Sequence, residues 1–291
     1  MRESNASAID ERDVLDAIAR AFEQGSVSVI SGAGVSTDSG IPDYRGLGSR
    51  QRQTITIDDF LGSRRARAHY WLRAHRGWSR FANALPNQGH RVLADLEQAG
   101  MLTGLVTQNV DGLHRLAGNR HVIELHGSLG NVVCVSCGQQ FSRTDIHSAM
   151  VDANPWLNDL SPDFDIDLET NDSISSLTGS LSIPDCSVCA GVLKPDVVFF
   201  GESVPVRTYS AARETISRSK TLLVVGSSLA VNSAVRLVQT ARKSRIPVFI
   251  VNRGKTHLDH VATGKVNLGA SEVLSQLAAS LEVSAVLEDI E

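Results

Sequence analysis

The sequence predicts an α/β chain, a parallel sheet covered by helices on both faces and interrupted by two insertions. Three observations predict it. Short, nearly continuous apolar runs recur along the chain, as strands buried on both faces require. Between several of them lie segments with apolar residues at helical spacing. The first run empties directly into a glycine-rich turn, the usual exit from a buried strand of a parallel sheet.

In chain order, a helix is expected from about Asp10 to Gln24, with Val14, Leu15, Ile18, Ala21 and Phe22 on one face and Gly25 ending it. Ser26 to Ser31 reads as a short buried strand. Further strands are expected at Leu102–Thr107, Val122–Leu125, Val197–Phe200, Thr221–Gly226 and Pro247–Asn252, and helices at Asn87–Gln98, Val206–Ser219 and Asn232–Ser244. Two stretches break the rhythm. The first, Tyr44 to Leu85, is rich in Arg and helical around Arg65–His75. The second, Cys134 to Lys194, holds both cysteine pairs around a polar middle, Asn171–Ser182, that reads as an irregular, mobile loop.

Composition narrows the function classes. With 291 residues and 42% hydrophobic content the chain can bury a large core. A net charge of −4 is not the footprint of a nucleic-acid binder. No apolar run is long enough to span a membrane. The first residues carry Glu3, Asp10, Glu11, Asp13 and Asp16, unlike a secretory signal or a transit peptide, so a cytoplasmic protein is expected.

All four cysteines form two C-x-x-C pairs, Cys134/Cys137 and Cys186/Cys189, separated by about 48 residues. That spacing fits a tetrahedral four-thiolate zinc site, one pair per knuckle. Four thiolates leave no open position for water, so such an ion is structural. Two redox-active pairs are the alternative. Few basic residues surround the pairs, which argues against a nucleic-acid-binding zinc ribbon.

Gly32-Ala-Gly-Val-Ser-Thr-Asp-Ser-Gly40 lets the backbone turn tightly and approach a pyrophosphate. By itself it is an ordinary strand-to-helix turn. Thr37 stands where a strict dinucleotide fingerprint has glycine, and no acidic residue follows at the end of a second strand, so a dehydrogenase is disfavoured. The continuation Ile41-Pro-Asp-Tyr-Arg45 rules out a simple long helix. Thr107-Gln-Asn-Val-Asp-Gly-Leu-His114 follows another strand. There, Asn109 and Asp111 have the hydrogen-bonding groups to hold ribose or a carboxamide, although Asn-x-Asp at a strand end is also a common turn or cap. His126, in Glu124-Leu-His-Gly127, leaves a strand at the edge where open α/β sheets bind ligands. An imidazole there can serve as a general base, though most lone histidines are packing residues, and His90 and His114 are read as such.

Gly32 to Arg45 matches every fixed position of the sirtuin pattern G-A-G-x-S-x-x-S-G-I-P-D-[FY]-R, and Thr107 to His114 resembles that family's T-Q-N-x-D-x-L-H. Gly191 to Glu202 resembles its G-x-L-[KR]-P-x-V-V-x-F-G-E, and Gly226-Ser-Ser-Leu229 its G-[ST]-S-L. One departure is Val231-Asn-Ser-Ala234, where V-x-P-A is common; it is expected to alter a helix start more than the chemistry. The resemblance covers roughly Gln24 to Ala279.

It implies a Rossmann-like NAD-binding domain (1-43, 86-130 and 196-291), a helical insertion (44-85) and a zinc-binding module (131-195). It implies an NAD-dependent protein-lysine deacylase releasing nicotinamide and O-acyl-ADP-ribose, with an acylated-lysine protein or peptide as partner and no nucleic acid or membrane. A monomer is expected. Catalysis falls to His126 as base with Asn109 and Asp111. NAD contacts fall to Gly32, Ala33, Gly34, Thr37, Asp43, Tyr44, Arg45, Gln108, Asn109, Asp111, Gly226, Ser227, Ser228, Asn252, Arg253, Gly254 and Ala270. The structural zinc falls to the four cysteines. Val198, Phe199, Phe200, Gly201 and Glu202 take the substrate by strand addition, with Val198, Phe199 and Phe200 lining the acyl-lysine tunnel and at least one of these side chains turned to the core.

Tyr44 and the wording of the later motifs look most like the class II branch, which includes removers of larger or acidic acyl groups. Tyr70-Trp-Leu-Arg73 has the Y-x-x-R spacing by which desuccinylating relatives read a carboxylate; an Arg-rich solvated helix is the alternative. Two other functions stay open, a protein mono-ADP-ribosyltransferase and a non-catalytic NAD or ADP-ribose sensor.

Overall fold

The computed structural model describes residues 10–43, 54–160 and 171–283. The chain opens with α1 (Glu11–Glu23), whose buried face is Val14, Ile18 and Phe22 and whose N-terminus is capped by the Asp10 carboxylate. Strand β1 (Val27–Ser31) is next. After two short 3-10 turns come α2 (Ile57–Gly62), α3 (Arg64–Ala82), α4 (Gln88–Gln98), β2 (Leu102–Thr107), α5 (Leu113–Leu116) and β3 (Val122–Glu124). The second interruption contributes β4 (Gly127–Cys134), β5 (Gln140–Ser142), α6 (Arg143–Ala153), α7 (Asn171–Ser180) and β6 (Leu193–Val197). The chain then runs through α8 (Val206–Ser217), β7 (Thr221–Val225), α9 (Asn232–Lys243), β8 (Val248–Val251), β9 (Gly264–Val266) and α10 (Ala270–Ser280).

Six strands form one parallel sheet in the order β3-β2-β1-β7-β8-β9. The period-2 alternation of each strand splits its side chains between two cores. Val27, Val29, Leu223, Val225 and Val251 pack beneath α1, α4 and α10. Ile30, Val106, Leu222, Val224 and Ile250 pack beneath α8 and α9 on the other face. Burial on both faces explains why these strands read as continuous apolar runs. Strand β5 pairs with β4 and β4 with β6 in a separate antiparallel sheet. Its core joins both insertions: Ala68, Trp71 and Leu72 of α3 meet Val132, Ile146, Met150, Leu181, Leu193, Cys134 and Cys186.

Two expectations are corrected. The strand expected at Val197–Phe200 lies earlier, at Leu193–Val197, and belongs to the antiparallel sheet. Pro195 obscures it in the sequence, but β6 is an edge strand, where a missing N–H is tolerated. The polar stretch Asn171–Ser182, expected as a loop, is helical over Asn171–Ser180. Here tertiary contacts override weak propensity. Thr178 and Leu181 are buried, and from α3 Arg65 donates to Ser175 Oγ (2.6 Å) and Arg64 to the Leu181 carbonyl (2.9 Å). Strand β9 and helix α10 are further elements that the apolar pattern does not single out.

Candidate active site

Because the large sheet is parallel, the C-terminal ends of β1, β2, β3, β7 and β8 open on one edge, and most of the predicted site residues gather there. Past β1, the Gly32 N–H donates to the Val225 carbonyl (3.0 Å) and the Gly34 N–H to that of Gly226 (2.9 Å). This loop-to-loop contact is why the glycines are glycines. A Cβ on Gly32 would stand 2.7 Å from Gly226 O, one on Gly34 2.9 Å from Gly226 Cα, and one on Gly226 (φ +61°) 2.6 Å from Val35 N. The loop then winds through 3-10 turns at Ala33–Val35 and Thr37–Ser39 instead of a long helix, with Gly40 closing the second. Thr37 bonds back to the Gly34 carbonyl (3.1 Å). Asp43 is the last described residue of this loop; Tyr44 and Arg45 lie outside the described residues.

Ser36 sits at the centre of a polar network. Its hydroxyl donates to Asp111 Oδ2 (2.7 Å) and accepts from Asn109 Nδ2 (2.9 Å), which also donates to the Gly32 carbonyl (3.1 Å). Asp111 Oδ1 caps the backbone at Leu113 (3.0 Å) and Thr107 Oγ1 holds the Asn109 N–H (3.1 Å). Beneath lie His114, on Ser31 Oγ (2.8 Å), and His90, within 3.4 Å of Ser36 Oγ, their rings 4.7 Å apart. Burial lowers both histidines, His90 to about 4 against the opposing pull of Asp111, so both are neutral. Asn87 couples this network to α4: it caps the helix at His90 and donates to Val35 O (2.7 Å) and Ser39 Oγ (3.0 Å). Ser36 lies inside the first motif, yet the sequence does not mark it as a site residue; a hydroxyl between the paired glycines and Pro42 is the available signal.

His126 stands in the turn between β3 and β4. Its Nδ1 lies 3.1 Å from the Gln108 carbonyl, which can only accept, so Nδ1 carries the hydrogen and Nε2 keeps its lone pair. Ser233 Oγ donates to that Nε2 at 2.9 Å. Burial lowers the pKa of His126 and the Gln108 carbonyl partly offsets this, leaving a neutral base at neutral pH. Gln108 itself donates to Ser227 Oγ (2.8 Å).

Ser228 offers its carbonyl to the His257 N–H (3.1 Å). Asn252, Arg253 and Gly254 come directly after β8, with Gly254 held by Asn267 (2.8 Å), and Ala270 begins α10.

The segment after β6 runs beside the base: the Val198 N–H donates to the His126 carbonyl (2.9 Å). Phe199 is buried while Phe200 is exposed, so the two phenylalanines divide between core and surface. Glu202 accepts from the Phe199 N–H and from Lys194, each at 3.0 Å, which folds the chain back at Gly201 (φ +82°). Tyr70 reaches this segment, its ring 5.3 Å from that of Phe199. Arg73 lies three residues along the same helix, half-buried.

Further along, the four cysteine sulfurs lie within 4.8 Å of one another, with Cys134 to Cys189 at 3.5 Å and Cys137 to Cys186 at 3.7 Å. Four thiolates about 2.3 Å from one ion would stand about 3.8 Å apart, so this donor set fits zinc. The knuckles match: Gly138 N–H bonds Cys134 O (2.9 Å) and Ala190 N–H bonds Cys186 O (2.8 Å). Backbone N–H groups of Cys137 and Ser136 lower the Cys134 thiol, while the neighbouring cysteines raise Cys189, as expected of sulfurs crowded together and sharing protons.

Residues 32–233 match the Sir2 family. The chain is 47% identical over 264 residues to NAD-dependent protein deacetylase 1 of Mycobacterium avium (strain 104), covering 88% of this chain and 91% of that one. It is also 47% identical over 267 residues to NAD-dependent protein deacetylase 1 of Streptomyces coelicolor (strain ATCC BAA-471 / A3(2) / M145), covering 90% and 88%. Among solved structures it is similar to a Sir2–p53 peptide–NAD+ complex (TM-score 0.75, 29% identity, 95% of this chain and all of that one). Sir2Tm bound to a propionylated peptide is a further neighbour (TM-score 0.74, 28% identity, with the same coverage).

Proposed function

The chain belongs to the Sir2 family, and we propose that it is an NAD-dependent protein-lysine deacylase that releases nicotinamide and O-acyl-ADP-ribose. The observation that carries this reading is the state of His126, a neutral imidazole with its proton on Nδ1, toward the Gln108 carbonyl that precedes Asn109 in the chain, and its lone pair on Nε2. Bound NAD supplies the ADP-ribosyl group that takes over the acyl chain. The donor set fits it: tightly apposed glycine loops, the Asn109 amide, and the Ser227 and Gln108 side chains along one edge. Asn109 and Asp111, fixed through Ser36, orient the nicotinamide end; Ser227, Ser228, Asn252 and Arg253 serve the adenosine side. His126 takes the ribose hydroxyl proton at Nε2. The Val198–Glu202 segment holds the substrate backbone, and its apolar side chains Val198, Phe199 and Phe200 suit an acylated, uncharged lysine.

The finer assignments belong to the same proposal. The motif wording supports the class II branch, and the contact of Tyr70 with Phe199 supports a role for Tyr70, with Arg73 on the same helix, in reading an acyl chain's far end. A cytoplasmic location accords with four reduced cysteines on one metal.

Mass spectrometry of lysine peptides carrying acetyl, succinyl, glutaryl, lipoyl and long-chain acyl groups, with and without NAD, tests the reading. NAD-dependent loss of acyl mass with matching O-acyl-ADP-ribose is expected, and the preferred chain identifies what Tyr70 and Arg73 read. His126→Ala should slow turnover by about 10²–10⁴-fold, the usual worth of a general base, with NAD affinity within a few fold. ADP-ribose gained by protein without deacylation would replace this reading with a transferase.

A further inference from the structure

Ser233 stands at the departure from the family pattern, where V-x-P-A is common and this chain has Val231-Asn-Ser-Ala234. It is the second residue of α9, inside the first turn, where backbone N–H groups have no acceptor within the helix and a proline costs no hydrogen bond. Nor does α9 use a side chain to cap its start. Helix formation therefore does not explain a serine here. Its hydroxyl lies 2.9 Å from His126 Nε2, a contact between residues 107 apart in sequence. The other ring nitrogen is fixed by the Gln108 carbonyl at 3.1 Å, and the backbone of His126 by Val198. The ring is thus gripped at both nitrogens, from β2's end on one side and from α9 on the other.

We propose that Ser233 is a positioning residue for His126, an inference that rests on the deacylase reading above. In the resting enzyme its hydroxyl donates to the Nε2 lone pair, which stabilises the Nδ1–H tautomer and the orientation of the ring. Nε2 has a single lone pair, so the Ser233 hydroxyl rotates off it as the ribose hydroxyl gives its proton there; the Nδ1 proton stays on the Gln108 side, and the Ser233 oxygen then accepts from the new Nε2–H. Ser233 exchanges no proton of its own. A hydroxyl can play both parts, so the cation formed on the buried ring keeps a partner in each state. A proline or alanine cannot.

Three readouts on Ser233→Ala and Ser233→Thr test this. Because nicotinamide leaves before the base acts, incorporation of labelled nicotinamide into NAD, with acylated peptide present, should stay within about twofold in Ser233→Ala. Formation of deacylated peptide should fall by about 5–10-fold, a loss of the size seen when one orienting hydrogen bond to a catalytic group goes. Ser233→Thr, which keeps the hydroxyl, should restore it. Nitrogen-15 NMR of the histidine rings should show His126 unprotonated at Nε2 and shift that signal in Ser233→Ala but not in Ser233→Thr; this readout needs no turnover. Equal loss of exchange and deacylation in Ser233→Ala would mean that the helix start has merely moved, and overturn the proposal. So would unchanged deacylation, or an unchanged Nε2 signal. Failure of the deacylase reading is a different result, seen in the wild-type enzyme as no NAD-dependent acyl loss from any peptide.

Discussion

The six-stranded sheet is sandwiched between two apolar clusters, each built from strand residues and at least two helices. The three-stranded sheet has a single smaller cluster, and two of its members, Cys134 and Cys186, are metal ligands. Each large aliphatic side chain fully removed from water contributes about 1.5–3 kcal/mol, so the large sheet offsets its folding entropy with apolar burial. The small one has a smaller apolar cluster and a four-cysteine cluster fit to hold a metal. The difference also shows in the polar residues. The large sheet, with an apolar cluster on each face, carries Ser31, Ser36, His90, Asn109, Asp111 and His114 in a hydrogen-bonded network at its edge. The small sheet's special residues are its staples.

Removing the metal should break the comparison most visibly. Structural zinc contributes about 10–16 kcal/mol of apparent binding energy in small zinc-folded domains, so Cys186→Ser or a strong chelator should unfold the module and abolish turnover. Hydrogen exchange should then show lost protection at β4, β6 and α6, with β1, β2 and β7 still protected. A chain that loses protection everywhere at once would show that the two sheets are one cooperative unit.

Acid should strike the large sheet's network as well as His147 of α6, which burial also lowers to about 4. His90 is held at about 4, below its unfolded value of 6.5, so between these values the unfolded chain binds more protons and stability falls as pH drops. That stability is whole above about pH 6.5 and is lost on approach to pH 4; a gap of this size corresponds to about 3 kcal/mol. Urea midpoints at pH 7 and pH 5 measure it, and His90→Gln should flatten the slope by about one proton. An unchanged slope would mean that His90 is protonated in the fold.

The smallest effect sharpens the boundary between the two regions. Asn87→Ala removes the α4 cap and its bonds to Val35 and Ser39, and should cost about 1 kcal/mol in urea denaturation while zinc content stays at one ion per chain. A loss of zinc in this variant would tie the regions together.

Much of the fold and the site is legible in the sequence. The buried parallel strands announce themselves because each must be apolar on both faces, and the Asn87–Gln98 helix because its cap and apolar stripe are local. The four cysteines are readable because a tetrahedral site constrains ligand type and spacing. His126 can be picked out only through its motif, since nothing in a lone histidine tells which nitrogen carries the proton. Strand β6 is displaced from its expected position because Pro195 marks an interruption unless one knows that the strand lies at an edge. Helix α7 escapes the sequence because its residues have weak helical preference and form a helix only against α3.

By itself, then, the sequence determined the buried apolar strands, the glycines at the β1 turn and the two C-x-x-C pairs, each a property of residues close together in the chain. Tertiary structure alone decided the rest. It set Gly34 against Gly226, Tyr70 against Phe199, and the Ser233 hydroxyl against His126 Nε2. Each of these joins segments whose distance is fixed by the path of the sheet and its crossovers, and no local pattern carries that path.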